Sequence, residues 1–339
     1  MNQLKMENKN TNLWGFVGKI GSGKDVVGQI IQYLTSEVGI KGTRTFLESQ
    51  GKTLQDGYGY SNFTQYNSPY EIKKYADKLK DIVCLMIGCT RAELEDRIFK
   101  EKELGEEWRV YKYDGKIYTT YEEVKELLLK HHFVGSKSIS NFEEMCDYYI
   151  TTYILTPRLL TQLIGTDCFR DKIHKNSWVN ATFSNYKPYE NNYEFVEGTY
   201  IKKCSECGVN FMASKHQHEC KDCVEKLNNE VVYPSWILTD CRFPNECEAI
   251  KKRNGILIKI DRPFRFRFPE ITEKFLQSGH IDINEYLKET DFEMYKKLNH
   301  ESETALDNYT DFDYIITNDG TIEDLVEKIR LILIKEKVI

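Results

Sequence analysis

The sequence predicts an α/β protein with a central parallel β-sheet, and three observations support this fold class. Four short apolar runs have the character of buried strands, namely LWGFVG, SWILTD, GILIKI and DYIITND. Segments with helical spacing of apolar residues separate these runs, and strands that alternate with helices favour a parallel sheet with right-handed crossovers. A glycine-rich turn joins the first strand to the first helix, and such sheets bind ligands at the carboxyl ends of their strands.

The elements of the first half follow from local patterns. The apolar run before Gly18 predicts a strand, and the spacing of apolar residues after Lys24 predicts a helix. Residues 49–69 are rich in Gly, Ser, Asn and Gln and predict a mobile loop. The segment YEIKKYADKLKDIVCLMIG predicts a strand that leads into a helix. The next patterned segment predicts a hairpin turning at Asp114 and Gly115, with a helix from near Thr120.

The second half adds helices and one irregular segment. Pro157 predicts the first turn of a helix, and PNECEAIKKRNG predicts a helix whose last residue, Gly255, is its C-cap. Residues 186–230 leave the α/β pattern and predict an insertion. We therefore expect a main domain over residues 11–185 and 231–339, with the segment 186–230 as an inserted subdomain.

Composition and charge exclude several classes of protein. The chain has 339 residues and a net charge of -6, which gives no general attraction for nucleic acid or an anionic membrane. No segment approaches the roughly 18 consecutive apolar residues of a membrane span, and the N-terminus lacks the apolar core of a signal peptide. We expect a soluble, cytoplasmic protein, with reduced thiols at the cysteines that are scattered singly. The oligomeric state stays open, a homodimer included.

The stretch GKIGSGKD at residues 18–25 carries the first chemical motif. Gly18, Gly23 and Lys24 match the pattern G-x-x-x-x-G-K-[ST] between a strand and a helix. The glycines let backbone N–H groups surround phosphate oxygens, the helix N-terminus adds partial positive charge, and Lys24 reaches the β and γ phosphates. The motif predicts a nucleoside triphosphate site, and a chance glycine-rich turn is the alternative.

Asp25 stands where this motif has the Ser or Thr whose hydroxyl binds Mg²⁺. A carboxylate is also a hard oxygen ligand, and it could hold the metal directly or through a water molecule. Its negative charge beside a polyphosphate is tolerable only while the metal and Lys24 are in place. Asp25 therefore predicts metal binding.

Other charged residues stand where phosphoryl transfer needs them, because this chemistry depends mostly on positioning and charge neutralisation. Arg158 opens a helix and Arg242 follows a buried strand, where a bidentate guanidinium can clamp phosphate. Asp240 ends the run WILTD, where it could bind Mg²⁺ through water, or a substrate hydroxyl. A surface salt bridge accounts equally well for each of the three.

Five segments, taken in order, carry a resemblance to a known family. They are SGKD at 22–25, YADKLKD at 75–81, RLLTQLIGTD at 158–167 with Trp178 downstream, TDCRFPNECEAI at 239–250 and IITNDGTIEDL at 315–325. In this order they resemble the deoxynucleoside monophosphate kinases of tailed phages. The likeness spans the chain apart from the insertion and some loop length.

The resemblance implies a P-loop nucleoside-monophosphate-kinase-like three-layer fold in the host cytoplasm. It implies Mg²⁺-assisted, in-line transfer of the γ-phosphoryl group of ATP to a deoxynucleoside 5′-monophosphate. The residues that it implies for ATP are Gly18, Gly21, Gly23, Lys24, Asp25, Val26 and Asn318. Those that it implies for the monophosphate are Lys80, Arg97, Arg158, Gly165, Thr166, Trp178, Asp240 and Arg242. Val26 departs from the family, which often has a hydroxyl residue there.

Three of these features keep a structural alternative. Related kinases carry a mobile lid where DRPFRFRFPEI stands here, and among its arginines Arg262 is the one expected to join Lys24, Asp25, Arg158 and Asp240 in catalysis. An exposed basic loop is the alternative. Trp178 could stack on a base or belong to the core. The segment NDGTIEDL could border adenine or form a simple strand-to-helix turn.

The insertion carries a second motif, a pair of C-x2-C knuckles. Cys204, Cys207, Cys220 and Cys223 have the spacing of a tetrahedral, closed and therefore structural Zn²⁺ site. Disulfides or a redox iron centre are the alternatives. The insertion lacks a basic stripe, so stabilisation of the insertion itself is favoured over nucleic-acid binding.

The leading functional hypothesis is therefore a deoxynucleoside monophosphate kinase whose partners are its small-molecule substrates. The loop alone does not choose the acceptor, so a kinase of another small phosphorylated acceptor is one alternative. A nucleotide-regulated nucleic-acid-binding protein that uses the zinc ribbon is the other. The downstream arginines favour a small anionic acceptor.

Overall fold

The protein is an α/β protein whose largest sheet has five parallel strands. The computed structural model describes residues 9–42, 46, 68–132, 142–189, 195–229 and 231–339. The chain forms two compact units: one comprises the described residues up to Tyr75 together with Val179–Ile339, the other Ala76–Trp178. The sequence did not predict this division. The expected insertion at 186–230 lies within the first unit, and its status as a separate subdomain stays a prediction.

The secondary structure alternates as expected over much of the chain. The strands are β1 (Asn10–Val17), β2 (Tyr70–Lys73), β3 (Arg109–Tyr113), β4 (Lys116–Tyr118), β5 (Thr151–Ile154), β6 (Tyr200–Lys203), β7 (Asn210–Ala213), β8 (Ser235–Cys241), β9 (Gly255–Asp261) and β10 (Tyr314–Thr317). The α-helices are α1 (Lys24–Leu34), α2 (Glu37–Ile40), α3 (Asp77–Ile87), α4 (Arg91–Glu95), α5 (Arg97–Glu101), α6 (Tyr121–His132), α7 (Phe142–Tyr149), α8 (Pro157–Gln162), α9 (Ser177–Phe183), α10 (Lys221–Asn229), α11 (Pro244–Lys251), α12 (Phe264–Arg267), α13 (Pro269–Ser278), α14 (Ile283–Thr290), α15 (Phe292–Leu298), α16 (Glu301–Thr304) and α17 (Ile322–Lys335). A 3-10 turn spans Glu106–Trp108 and a π-helix spans Leu163–Ile173.

The parallel sheet of the first unit has the strand order β10-β9-β1-β8-β2. The central strand β1 pairs with both neighbours, and Trp14 lies between Ile237 of β8 and Ile256 of β9. The last five residues of β1 are buried, because a parallel sheet is covered on both faces and its strands are continuously apolar. The four strands predicted from apolar runs are confirmed, and β2 is the fifth.

Two hydrophobic cores cover the faces of this sheet. One contains residues of α1 and α17, such as Ile30 and Ile329. The other contains residues of α9 and α11, such as Phe183 and Ile250. Because both faces are covered, the turns at the carboxyl ends of β1, β8 and β9 are left as the sites where polar side chains can converge on a ligand.

The second unit contains an antiparallel sheet of order β4-β3-β5. Its hairpin turns at the predicted Asp114 and Gly115, which have φ of 47° and 74°, as a tight turn between two antiparallel strands requires. The predicted helix at Pro157 is confirmed, with Thr156 as its N-cap. Among the described helices of the chain, none is long and apolar enough to cross a membrane. Most of the expected loop at 49–69 lies outside the described residues.

The predicted C-cap at Gly255 is wrong. Helix α11 ends at Lys251, Asn254 takes the positive φ of 56°, and Gly255 is the first residue of β9. A Cβ at Gly255 would lie 2.7 Å from Cγ2 of Ile250 and 3.0 Å from the carbonyl oxygen of Leu13. Gly255 is therefore explained by its close packing against Ile250 of α11 and Leu13 of β1, and not by a role as a helix cap.

Replacement of Gly255 by alanine tests this packing. We expect Gly255→Ala to lower the free energy of unfolding by about 1–3 kcal/mol, because the added methyl group overpacks the core against backbone that cannot move. Gly105→Ala is the matched control, since its Cβ would meet only the flexible end of the Glu107 side chain. Urea denaturation measures both. Equal midpoints for the two variants would contradict the account.

Candidate functional site

The turn between β1 and α1 has the geometry of an anion-binding loop. Gly21 and Gly23 have φ of 75° and 96°, and no side chain caps the N-terminus of α1 within the described chain. A Cβ at Gly18 would lie 2.6 Å from the carbonyl oxygen of Ile260. The amide groups of the first turn of α1 therefore keep their hydrogen-bonding capacity and the partial positive charge of the helix end.

Lys24 lies inside this loop. Its ammonium group donates hydrogen bonds to the carbonyl oxygens of Gly18 and, at 3.2 Å, of Lys19. Burial lowers the pKa of Lys24, and the positive charge of Arg242 lowers it further. The negative charges of Glu303 and Asp25 act in the opposite direction, so the cations at the loop are partly balanced by carboxylates.

A cavity of about 470 Å³ opens in front of the loop. This volume is within the usual range of ligand pockets, roughly 300–1,000 Å³. Its lining combines the loop with the two segments that the sequence singled out elsewhere: Gly21, Ser22, Gly23, Lys24, Asp25, Val26, Arg262, Phe266, Asn318, Gly320, Thr321, Ile322 and Leu325. The hydroxyl oxygen of Ser22 is buried and has no hydrogen-bond partner within the described chain.

Asn318 and Arg262, two of the candidate residues, both line this cavity. The buried amide of Asn318 donates to the carbonyl oxygen of Ser22 at 2.9 Å, so it fixes the loop as well as lining the cavity. The guanidinium of Arg262 donates to the carbonyl oxygen of Phe266 at 3.3 Å. Its neighbour Arg265 stacks on Phe266 instead.

Asp25 is exposed and held from two sides. Its Oδ1 accepts hydrogen bonds from the hydroxyl of Thr239 at 2.7 Å and from the ammonium of Lys74 at 2.9 Å. Partial burial works to raise the pKa of Asp25, but the charge and hydrogen bond of Lys74 and the hydrogen bond of Thr239 outweigh it, so the pKa is lowered. Asp25 is therefore fixed as an anion, with its position set by the ends of β2 and β8.

Asp240 and Arg242 lie at the carboxyl end of β8 as predicted. Oδ1 of Asp240 accepts from the backbone N–H of Tyr75 at 2.9 Å. The guanidinium of Arg242 donates to Glu303 at 2.8 Å, and its backbone N–H donates to the buried carboxylate of Glu246 at 2.7 Å. The two candidates are thus held by fixed partners, and Arg242 is half-exposed.

The other candidates lie in the second unit. Arg158 forms a salt bridge with Glu101, both side chains being more than half exposed, and Lys80 forms one with Glu95. Arg97 is an exposed residue at the start of α5. The exposed pair of Arg158 and Glu101 adds little stability, so Arg158 stays accessible to a competing anion, whereas the side chain of Lys80 is only 20% exposed.

The π-helix holds Gly165 and Thr166. The carbonyl oxygen of Gly165 accepts from the indole N–H of Trp178 at 2.8 Å, and Trp178 is only 7% exposed. Trp178 is therefore a core residue, which was the structural alternative to stacking on a base. π-helical turns occur frequently at functional sites, and no pattern in the sequence predicted this one.

Several site residues carried no sequence signal of their own. Lys74 follows β2, where the rule that ligands bind at carboxyl ends of parallel strands could have found it. Thr239 precedes Asp240 and points its hydroxyl at Asp25. Arg267 donates to the carbonyl oxygen of Ile20 at 3.2 Å, a contact that no motif indicates. Glu303 lies far along the chain in a segment without a recognisable pattern.

The four cysteines of the two knuckles converge as predicted. The sulfur atoms of Cys204, Cys207, Cys220 and Cys223 all lie within 4.8 Å of one another. The Sγ atoms of Cys207 and Cys220 are 3.7 Å apart, close to the roughly 3.8 Å separation of sulfurs in a tetrahedral Zn²⁺ site and far from a disulfide bond. All ten cysteines are free. The cluster could therefore hold a structural metal such as zinc.

The local structure favours a thiolate in this cluster. Backbone N–H groups of Cys207 and Cys220 lower the pKa of Cys204 to about 6, and the N–H of Cys220 donates to its sulfur at 3.3 Å. Between residues 195 and 229 the buried hydrophobic residues are only Cys204, Ala213, Cys220 and Val224. So small an apolar core needs an additional source of stability, which a bound metal supplies.

Comparison with known proteins gives no assignment. Neither the family models nor the curated proteins contain a match to this chain.

The pairing of Asp25 with Lys74 predicts a pH-dependent coupling. A double-mutant cycle of Asp25→Asn and Lys74→Met should give a coupling free energy of about 0.2–1 kcal/mol at pH 7, because both side chains are partly exposed. Because the pKa of Asp25 is lowered on folding, this stability is present above the unfolded value of about 3.9 and is lost as the pH falls through the lower folded value. A coupling that persists at pH 2 would contradict the assignment.

The cysteine cluster predicts local unfolding on metal removal. Cys204→Ser should lose bound zinc, measured by atomic absorption, and should speed amide exchange in residues 195–229 without changing exchange in α1. Cys168→Ser is the control, because Cys168 is an exposed thiol outside the cluster. A Cys204→Ser protein with unchanged metal content would show that the cluster is no metal site.

Proposed function

We propose that the protein is an ATP-dependent kinase of deoxynucleoside 5′-monophosphates, built on a P-loop kinase fold. The observation that carries the proposal is the loop from Gly18 to Asp25, whose uncapped helix end and half-buried Lys24 face a cavity of nucleotide size. Two segments distant in sequence bring Arg262 and Asn318 to the same cavity. Such convergence of cations and amide groups suits a triphosphate.

Lys24 has the role of neutralising the phosphate groups. A ligand phosphate would take over the hydrogen bonds that the ammonium now gives to Gly18 and Lys19. The amide groups of the loop would bind further phosphate oxygens, and Arg262 would close the cavity from the lid side. Together they would stabilise the charge that develops in the transition state.

Asp25 fits the requirement for a Mg²⁺ ligand. Lys74 and Thr239 both bond to its Oδ1, while its Oδ2 has no hydrogen-bond partner among the residues described. The chemistry that Mg²⁺ would supply there, if held by Asp25, is to offset the charge of the phosphate groups. Asp25 would hold the ion's position, and Lys74 and Thr239 would hold Asp25.

The acceptor specificity follows from the resemblance together with the distribution of cations. Arg242 follows β8 in the first unit, and Lys80, Arg97 and Arg158 lie on the helices α3, α5 and α8 of the second unit. Arginine can bind a phosphate group through paired hydrogen bonds, so such side chains suit a small anionic acceptor. A nucleoside monophosphate meets this requirement, and the resemblance narrows it to the deoxy form.

Replacement of Lys24 tests the proposal. Lys24→Met should lower kcat for conversion of ATP and a deoxynucleoside monophosphate into diphosphates by roughly 10²–10³, as expected for loss of one preorganised electrostatic contact. Lys252→Met is the matched control, because it removes an exposed lysine at the end of α11. Chromatography of the products measures the rates for a panel of monophosphates.

The panel also separates the alternatives. If the protein phosphorylates another small acceptor and no deoxynucleotide, it is a kinase with a different substrate. Absence of any diphosphate from the wild-type protein, together with ATP hydrolysis stimulated by DNA, would refute the proposal.

A further inference from the structure

A buried carboxylate occupies the cationic side of the phosphate loop. Glu303 lies on α16, and its side chain is only 6% exposed. Its Oε2 accepts a hydrogen bond from the backbone N–H of Ile20 at 2.6 Å, and its Oε1 accepts one from the guanidinium of Arg242 at 2.8 Å. A loop amide and an arginine thus both bind one internal carboxylate.

A second carboxylate of the same segment extends this contact. Asp307 forms a salt bridge with Lys19 of the loop. Together with Arg242 and Arg262, these residues line a gap of only about 80 Å³ beside Gly18. The gap is small because the segment 303–307 fills the space next to the cations.

The arrangement has the chemistry of a bound phosphate group. Phosphate oxygens at a glycine-rich loop accept from backbone N–H groups and from arginine, and here the carboxylate of Glu303 accepts one hydrogen bond from each kind of donor. A buried carboxylate is tolerated only with such partners, because its desolvation is costly. A polyphosphate in the loop would bring more negative charge to within a few ångströms, where the two anions repel strongly.

We propose that the segment Glu303–Asp307 is an internal anion that competes with phosphate groups for Ile20, Lys19 and Arg242, and that polyphosphate binding displaces it. Without a ligand, Glu303 and Asp307 balance the positive charges of Arg242 and Lys19. When a polyphosphate displaces Glu303, the guanidinium of Arg242 is released and can bind a second anion. The proposal rests on the loop being a phosphate site, as the proposed function also does.

Titration calorimetry with inorganic tripolyphosphate tests the competition. Glu303→Gln keeps the shape of the side chain and removes its charge, so we expect it to bind tripolyphosphate about tenfold more tightly than the wild type. Glu301→Gln is the control, because it removes the same charge from an exposed position on the same helix. Asp307→Asn should give a smaller gain than Glu303→Gln, since Asp307 is about half exposed.

The outcomes separate the two proposals. Equal or weaker binding by Glu303→Gln than by Glu301→Gln would overturn the competition and show that Glu303 supports the site. If neither the wild type nor any variant binds tripolyphosphate, both the competition and the assignment of the loop as a phosphate site are wrong.

Hydrogen exchange on the wild-type protein gives a test without a variant. Saturating tripolyphosphate should speed amide exchange in residues 301–307 while it slows exchange at the start of α1. Slower or unchanged exchange in residues 301–307, with protection of α1, would show that the segment stays bound beside the ligand and would refute the displacement.

Discussion

The constraint on which the site depends is the abrupt passage from the buried strand β1 into α1. The chain has to turn between Val17 and Lys24. The backbone of β9 leaves no room for a side chain at Gly18. Only glycine readily adopts the positive φ at Gly21 and Gly23. The turn therefore leaves the N-terminus of α1 without a side-chain cap, and the positive end of α1 faces the cavity. The rest of the site is arranged around that end.

The surrounding charges are balanced in pairs. Lys74 holds Asp25, Glu303 holds Arg242, and Asp307 holds Lys19. A protein of negative net charge can in this way keep a dense group of cations next to a loop of amide groups without a permanent excess of charge. The pairs of Lys74 with Asp25 and of Lys19 with Asp307 are exposed enough for a more highly charged ligand to compete with them. The pairing explains how the loop tolerates a carboxylate at the position of Asp25, where the motif has a hydroxyl.

The sequence predicted those parts of the fold that depend on local pattern. Continuous apolar runs identified β1, β8 and β9, because both faces of a parallel sheet are buried. The apolar run of β10 was also identified, although only Ile316 of this edge strand is buried. The knuckle spacing identified the cysteine cluster, since four ligands for one ion restrict the chain strongly. The contact of Ile20 with Glu303 joins residues 283 positions apart, and no local pattern records such a contact. The C-cap at Gly255 was wrong for a related reason, because the approach of Leu13 and Ile250 decides that position.

The account depends most directly on phosphate binding by the loop from Gly21 to Asp25. The amide chemical shifts of the deuterated, ¹⁵N-labelled protein on addition of Mg²⁺ and a non-hydrolysable ATP analogue would measure it. The account predicts large, saturable changes at the amides of Gly23, Lys24 and Asp25 and at the side-chain amide of Asn318. Changes confined to the cysteine cluster, or no saturable change at the start of α1, would contradict it.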